Sequence, residues 1–126
     1  KLNFDFMIDY NLHKHNTVIP TMLLQPVVEN AVNHGIFNKE TKGTVSISFK
    51  QLAGNQIRID IEDDGVGVKN TKKKANHKIN SSMILQDRIA VLNASQEWRI
   101  AYTTAAMFPK NIDKGNKSTF LIEHTL

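Results

Sequence analysis

Leu2, Phe4, Phe6 and Ile8 alternate with Asn3, Asp5 and Met7, the period-two pattern of a strand with one buried face, ending near Tyr10. Residues 11–18 are mixed and polar and read as a connecting loop. From Pro20 onward Leu23, Leu24, Val27, Val28, Ala31 and Val32 recur at three- and four-residue spacing, which predicts a helix with one apolar stripe. Pro20 suits the first position of that helix and Gly35 its stop, whereas Pro26 deletes a helical hydrogen bond and predicts either a kink or a helix that properly starts only a turn earlier. Val45, Ile47 and Phe49, then Ile57, Ile59 and Ile61, alternate on either side of Ala53-Gly54-Asn55 and predict an antiparallel hairpin. Residues 68–80 are rich in Lys and Asn and read as a long polar loop. A second helical stripe follows over 82–94, through Ile84, Leu85, Ile89, Val91 and Leu92. Trp98, Ile100 and Tyr102 form another strand, and Phe120 with Ile122 a last one.

The order strand, helix, two strands, loop, helix, two strands predicts an α+β two-layer sandwich, one mixed, mostly antiparallel sheet covered on one face by helices. With 126 residues, 40% hydrophobic and 22% charged, the chain fits a single domain over residues 1–126, and its start at Lys1 directly before a strand suggests a fragment of a longer chain. The absence of Cys excludes disulfides, zinc thiolates and thiol nucleophiles. No apolar run approaches the roughly 20 residues that span a bilayer. The charge of +4 raises nucleic acid as a partner. Its distribution argues against one: Lys69, Lys72, Lys73, Lys74 and Lys78 crowd into one polar segment, and Arg58, Arg88 and Arg99 are scattered elsewhere.

Two stretches carry candidate chemistry. Glu62-Asp63-Asp64-Gly65-Val66-Gly67 follows directly on a strand and joins a fixed carboxylate to backbone that a flat ligand can approach closely. A tight acidic turn explains the hexamer equally well. In Gln25-Pro26-Val27-Val28-Glu29-Asn30-Ala31-Val32-Asn33-His34-Gly35, Asn30 and His34 lie one helical turn apart and Asn33 neighbours Asn30. An amide or carboxylate oxygen there suits Mg²⁺, and ordinary capping suits the same residues.

Together, the stretch from Leu23 to Gly35 resembles the N-box helix of LytS-type sensor histidine kinases, Leu-Gln-Pro, Glu-Asn-Ala, then Lys-His-Gly. Asp63-Asp64-Gly65-Val66-Gly67 resembles the glycine box that follows it. The resemblance spans essentially the whole chain and implies the C-terminal ATP-binding domain with the Bergerat, or GHKL, fold. On that resemblance Asn30 would coordinate the Mg²⁺ that bridges the ATP phosphates, with Glu29 supporting the metal's water shell. Asp63 would accept a hydrogen bond from the adenine amino group, and Gly65 and Gly67 would let backbone pass close to the purine. Asn33 and His34 would sit by the phosphates or the lid, and residues 68–80 would be that lid. The cofactors implied are ATP and Mg²⁺. The partners implied are the dimerisation and phosphoacceptor helices of the same parent chain and a response regulator, with no nucleic acid and no membrane contact by this domain. The implied location is a cytoplasmic domain of an inner-membrane-anchored protein.

The chain departs from that pattern at three places, one of them Gly115-Asn116-Lys117-Ser118-Thr119-Phe120, which only approximates the family's Gly-Thr start of the last strand. Asn33 stands where the family has Lys, and Ile79-Asn80-Ser81-Ser82-Met83 contains no glycine where a second glycine box is expected, although Gln86 to Asn93 still resembles the helix after that box. Three functions follow: presentation of Mg²⁺-ATP for transfer to a histidine outside the chain, a degenerate module with weak or no ATP binding that signals by protein contact, or ATP hydrolysis. Hydrolysis is disfavoured, since Pro26 occupies the place of the general base. No histidine of the chain, His77 included, is expected in an acceptor helix. Arg88 and Trp98 read as a salt-bridging and a core residue.

Overall fold

The structure, a computed structural model, describes residues 2–8, 19–20, 22–32, 43–65, 75–106 and 115–125, with backbone alone over 2–8, 75–82 and at 106. In chain order the elements are β1 (Leu2–Ile8), α1 (Gln25–Asn30), β2 (Gly43–Gln51), β3 (Gln56–Asp63), α2 (Ala75–Ala94), β4 (Trp98–Ala106) and β5 (Asn116–His124). The strands form one five-stranded sheet in the order β1-β2-β3-β5-β4. β1 runs parallel to β2, and the other three pairings are antiparallel.

The predicted hairpin is β2 and β3, in the register Val45↔Asp63, Ile47↔Ile61 and Phe49↔Ile59. Gly54 closes it at φ +71°, a left-handed conformation that costs a residue without Cβ little, and the Leu52 N–H donates to the Gln56 carbonyl at 2.8 Å. The Gln51 side-chain amide lies 3.2 Å from the carbonyls of Leu52, Gly54 and Gln56 and ties the turn together.

Alternation gives the sheet two chemically different faces. Val45, Ile47, Ile57, Ile59, Ile61, Trp98, Ile100, Phe120 and Ile122 point to one side, where Leu23, Val27, Ala31 and Leu85 of the helical layer cover them to form the core. The other face carries ion pairs in place of a second layer: Arg58 with Asp60 at 3.0 Å, Lys117 with Glu62 at 3.6 Å and Arg99 with Glu123 at 3.7 Å. This is the predicted two-layer α+β sandwich.

The helices differ from expectation in their limits. α1 begins at Gln25, so Pro26 falls in the first turn, where its missing N–H would have had no helical partner. Pro20 lies ahead of the helix, separated from it by Met22 at φ +66°. After Asn30 the helix widens into a π turn at Ala31 and Val32, and the Gly35 stop lies outside the described residues. α2 begins at Ala75, well before the expected 82, so residues 75–80 of the expected loop are helical and His77 lies in the first turn of a helix. From Ala75 to Ala94 the sequence contains neither Gly nor Pro, and nothing in its backbone chemistry stops the helix running on upstream.

Of the apolar positions read as one stripe on α2, Leu85 is buried and Ile89 and Leu92 pack on the core, but Ile84 and Val91 are exposed. A residue beside Leu85 in sequence is turned about 100° around the helix from it, and Val91 follows Ile84 by two turns on that same outward side. Arg88 donates to the Met22 carbonyl at 2.7 Å, so it holds the turn before α1 by a backbone contact in place of the expected ion pair. Trp98 is a core residue as expected.

Phe120, fully buried and tilted against Tyr102 with ring centroids 4.7 Å apart, anchors the core. Phe120→Ala is expected to cost about 3–5 kcal/mol in urea unfolding. Val91→Ala, on the exposed side of α2, should stay within about 0.5 kcal/mol of the parent.

Candidate functional site

β3 is the middle strand of the sheet, hydrogen-bonded to β2 on one side and β5 on the other. Its core-facing row runs Ile57, Ile59, Ile61 and ends at Asp63, a carboxylate only 5% exposed, opposite Val45 of β2 and Asn116 of β5. Such a group needs partners on the spot. The Gly65 N–H donates to Asp63 Oδ1 at 3.0 Å, closing an Asx-type turn on the first glycine of the motif.

The turn is pinned on both sides. The Thr44 N–H donates to Asp64 Oδ1 at 2.8 Å and the Asp64 N–H donates to the Thr44 carbonyl at 3.3 Å, which ties it to the start of β2. The Gly115 N–H donates to the Gly65 carbonyl at 2.9 Å, which ties it to the start of β5, with Gly115 at φ +75°. Asp64 thus braces the turn, and Asp63 is the carboxylate held on the helix-covered face. Gly65 is buried.

α1 supplies the second component. Val27 and Ala31 bury one face against the core, and Asn30 between them is half-buried. Its Oδ1 is buried and has no hydrogen-bond partner among the described residues. An orphaned amide oxygen costs about 1–3 kcal/mol unless something occupies it, and a hard oxygen of this kind fits a divalent cation that takes its remaining ligands from water and phosphate. Glu29, next to it, is exposed and shares none of that burial. The described residues contain no cluster of three or more His, Asp or Glu able to hold an ion by themselves, so a metal here would depend on its ligand's own oxygens. Asn33, His34 and Gly67, and residues 68–74 of the expected lid, lie outside the described residues.

Polar residues that the sequence reading did not assign border Asp63 on the same face. Asn116 stands opposite it, and Ser118, only 3% exposed, stands opposite Ile61. The Tyr102 hydroxyl donates to Ser118 Oγ at 3.1 Å, and the Thr104 hydroxyl donates to Asn116 Oδ1 at 3.2 Å. Ser118 was accessible to pattern reading, because Phe120 and Ile122 fix the buried parity of β5 and Ser118 shares it. Burial raises the Tyr102 phenol above its usual value, and the hydrogen bond with Ser118 partly offsets this.

With this geometry in view, comparison with known proteins is direct. No protein-family model matches the chain. The sensor histidine kinase YpdA of Escherichia coli is 31% identical over 107 residues, 85% of this chain and 18% of that protein. The sensor histidine kinase/phosphatase LytS of Staphylococcus aureus is 28% identical over 69 residues, 55% of this chain and 12% of that protein. Among solved structures, the histidine kinase domain of the blue-light activated histidine kinase of Erythrobacter litoralis superposes with a TM-score of 0.65 at 20% identity, covering 98% of this chain and 52% of that one. The fold is that of a histidine-kinase catalytic domain. The chain is homologous to the LytS-type sensor histidine kinases, and it spans under a fifth of the length of the curated relatives named.

Tyr102 ties the alkaline stability of the domain to this polar row. Its phenol ionises at higher pH in the folded chain than in the unfolded one. The stability that this shift reflects is therefore complete below the usual phenol range near pH 10 and declines as pH rises through the folded-state value. Tyr102→Phe is expected to cost about 1 kcal/mol at pH 8. In urea unfolding between about pH 8 and 11 the variant should lose less stability than the parent.

Proposed function

We propose that this chain is the ATP-binding catalytic domain of a two-component sensor histidine kinase, and that it holds Mg²⁺-ATP for transfer of the γ-phosphoryl group to a histidine outside these residues. The observation that carries the reading is Asp63: a buried carboxylate at the end of the central strand, locked by the Gly65 N–H and by a turn fixed to two neighbouring strands. A carboxylate held there accepts a hydrogen bond from an exocyclic amino group, which selects adenine over a purine that offers a carbonyl at that place. Gly65 follows at once, and its backbone comes close to the flat ring. Asn30 would hold a divalent cation through its buried amide oxygen, which has no hydrogen-bond partner among the described residues, and the exposed Glu29 would support the metal's water shell. Asn33, His34 and Gly67 complete the proposed site on the strength of the motif.

The chain's own contribution to the transfer is positioning and charge placement. The P–O bond of the γ-phosphoryl breaks as a bond to an imidazole nitrogen forms, ADP leaves, and no side chain of this domain becomes covalently modified. Mg²⁺ would supply neutralisation of the phosphate charge. Pro26 in the first turn of α1 has no group able to activate water, which supports transfer over hydrolysis. We further propose that the parent protein is a membrane-anchored sensor whose cytoplasmic part includes this domain, that its own phosphoacceptor helices receive the phosphoryl group, and that a response regulator takes it onward.

One observation favours a second reading, a module that binds nucleotide weakly and signals by contact. Residues 79–83, where a second glycine-rich segment is expected, lie inside the continuous helix α2. Helical backbone uses its N–H groups within the helix and has none to wrap around a triphosphate. With Asn33 in place of a lysine, ATP affinity is expected to be weak, about 100 μM, with most of it coming from the adenine end.

Calorimetric titration separates the readings. Asp63→Asn should weaken Mg²⁺-ATP binding more than tenfold, about 1.4 kcal/mol, and GTP should bind more weakly than ATP. Equal affinity for ATP and GTP would remove Asp63 from adenine selection. Asn30→Ala should abolish the Mg²⁺ enhancement of ATP binding and, because it removes an unpaired buried oxygen, leave the ligand-free domain as stable as the parent or about 1 kcal/mol more so in urea unfolding. Restoring the family's lysine by Asn33→Lys should tighten ATP but not AMP. An unmodified chain that bound ATP at low micromolar concentration, with no gain from Asn33→Lys, would overturn the weak-binding reading.

A further inference from the structure

Polar side chains continue from Asp63 across the sheet, and their exposure grades outward. Asp63 on β3 is buried, Asn116 directly opposite it on β5 is half-buried, and Thr104 on β4 is exposed. Ser118, Phe120 and Ile122 set the buried parity of β5, and Asn116 shares it, so its side chain stands on the helix-covered face with Asp63. Residues opposite one another on antiparallel strands have Cβ atoms about 4.5–5.5 Å apart. An Asp and an Asn placed this way can meet the same edge of one flat ring.

The Asn116 amide is also held in one sense. The Thr104 hydroxyl donates to its Oδ1 at 3.2 Å, from the β4 side. An amide carries its acceptor and its donors on different corners of one plane. With the oxygen drawn toward β4, the Nδ2 end is turned away from that strand, and β3 with Asp63 lies on the other side of β5. Among the described residues, the Thr104 contact is the one side-chain hydrogen bond that Asn116 makes, so Nδ2 has no partner there.

We propose that Asn116 is a second adenine-reading residue, whose Nδ2 donates to a ring nitrogen beside the amino group that Asp63 accepts from. The proposal rests on the adenine role of Asp63 given above and adds a specificity-determining residue to it. Adenine presents an amino donor next to a ring-nitrogen acceptor, and a carboxylate beside an amide N–H is the complement of that pair. Guanine has a carbonyl in place of the amino group, and its ring nitrogen on the Watson–Crick edge carries a hydrogen. On that edge both contacts fail for guanine, whereas on the Hoogsteen edge only the Asp63 contact fails. Thr104 is a positioning residue: it touches no part of the base and fixes which end of the Asn116 amide faces the site.

Nucleotide titration of the 126-residue chain tests the assignment. ATP analogues with carbon in place of one flanking ring nitrogen, 1-deaza-ATP and 7-deaza-ATP, should separate on the unmodified chain: one should bind about tenfold more weakly than ATP and the other about as well, which also identifies the edge that is read. Asn116→Leu keeps the size of the side chain and removes the donor. It should weaken ATP and AMP by the same factor, about tenfold, because the contact is at the base, and it should no longer distinguish ATP from either analogue. Thr104→Val should shrink the penalty of the weaker analogue, a readout that loss of strand stability would not move. If both analogues bind the unmodified chain as tightly as ATP, the proposal is overturned without recourse to any variant. An Asn116→Leu chain that binds ATP as the parent does, or in which an analogue's penalty persists, overturns it equally. If Asp63→Asn still weakens ATP in those cases, the adenine role of Asp63 stands and only that of Asn116 falls. Equal binding of ATP and GTP by the unmodified chain would remove both.

Discussion

A carboxylate at the end of an otherwise apolar row constrains the rest of this structure. Ile57, Ile59 and Ile61 bury themselves under the helices, and the next residue of the same parity is Asp63, which the strand carries to the same face. To be kept there it needs donors, and β3 can offer them only by turning at once. That turn in turn needs both neighbouring strands to begin at the right height. Thr44 supplies one anchor and Gly115 the other, so two segments far apart in sequence converge on one carboxylate. The position of Asn116, Ser118, Tyr102 and Thr104 around it follows from strand register alone.

The opposite face of the sheet obeys a different economy. Asp60 accepts from Arg58 on its own strand and from the Thr119 hydroxyl across to β5, and Lys117 pairs with Glu62 across the same two strands, but these partly exposed pairs contribute little to stability individually. Their value lies in keeping the face wetted so that the helices can cover only the other one. The single sheet thereby has an unambiguous inside, and a slip of register by one residue would bring Arg58, Asp60 and Glu62 into the core.

The strands were legible in the sequence because alternation survives in every one of them, from Phe4 and Phe6 in the first to Phe120 and Ile122 in the last. The helices were less so. The spacing of apolar residues located them, but propensity alone does not mark where a helix starts, and Ala75 to Met83 gave no signal that separates a polar helix from a polar loop. Proline left two outcomes open, a kink or a helix starting close before it, and the start at Gln25, which puts Pro26 in the first turn, decides for the second. At the site, Asp63 and Asn30 stood out through motif, and the structure adds that one is locked by a glycine N–H and the other left without a partner. Neither Asn93, whose side chain brackets the Ile100 N–H and carbonyl, nor Arg88 was readable as a backbone clamp, because each acts on a segment that only the tertiary fold brings near.

The chain's single tryptophan lies at the far end of the sheet from Asp63. Trp98 stacks on His124 with centroids 4.3 Å apart and planes 23° from parallel, and Glu97 holds the imidazole by a 2.9 Å contact. β5 runs from Asn116, beside Asp63, to His124, beside Trp98, a distance of about 26 Å along an extended strand. The indole therefore works as a remote optical gauge. It is too far away to touch anything seated at Asp63, so a change in its emission when a ligand enters that end would measure how rigidly the last strand transmits displacement along its length.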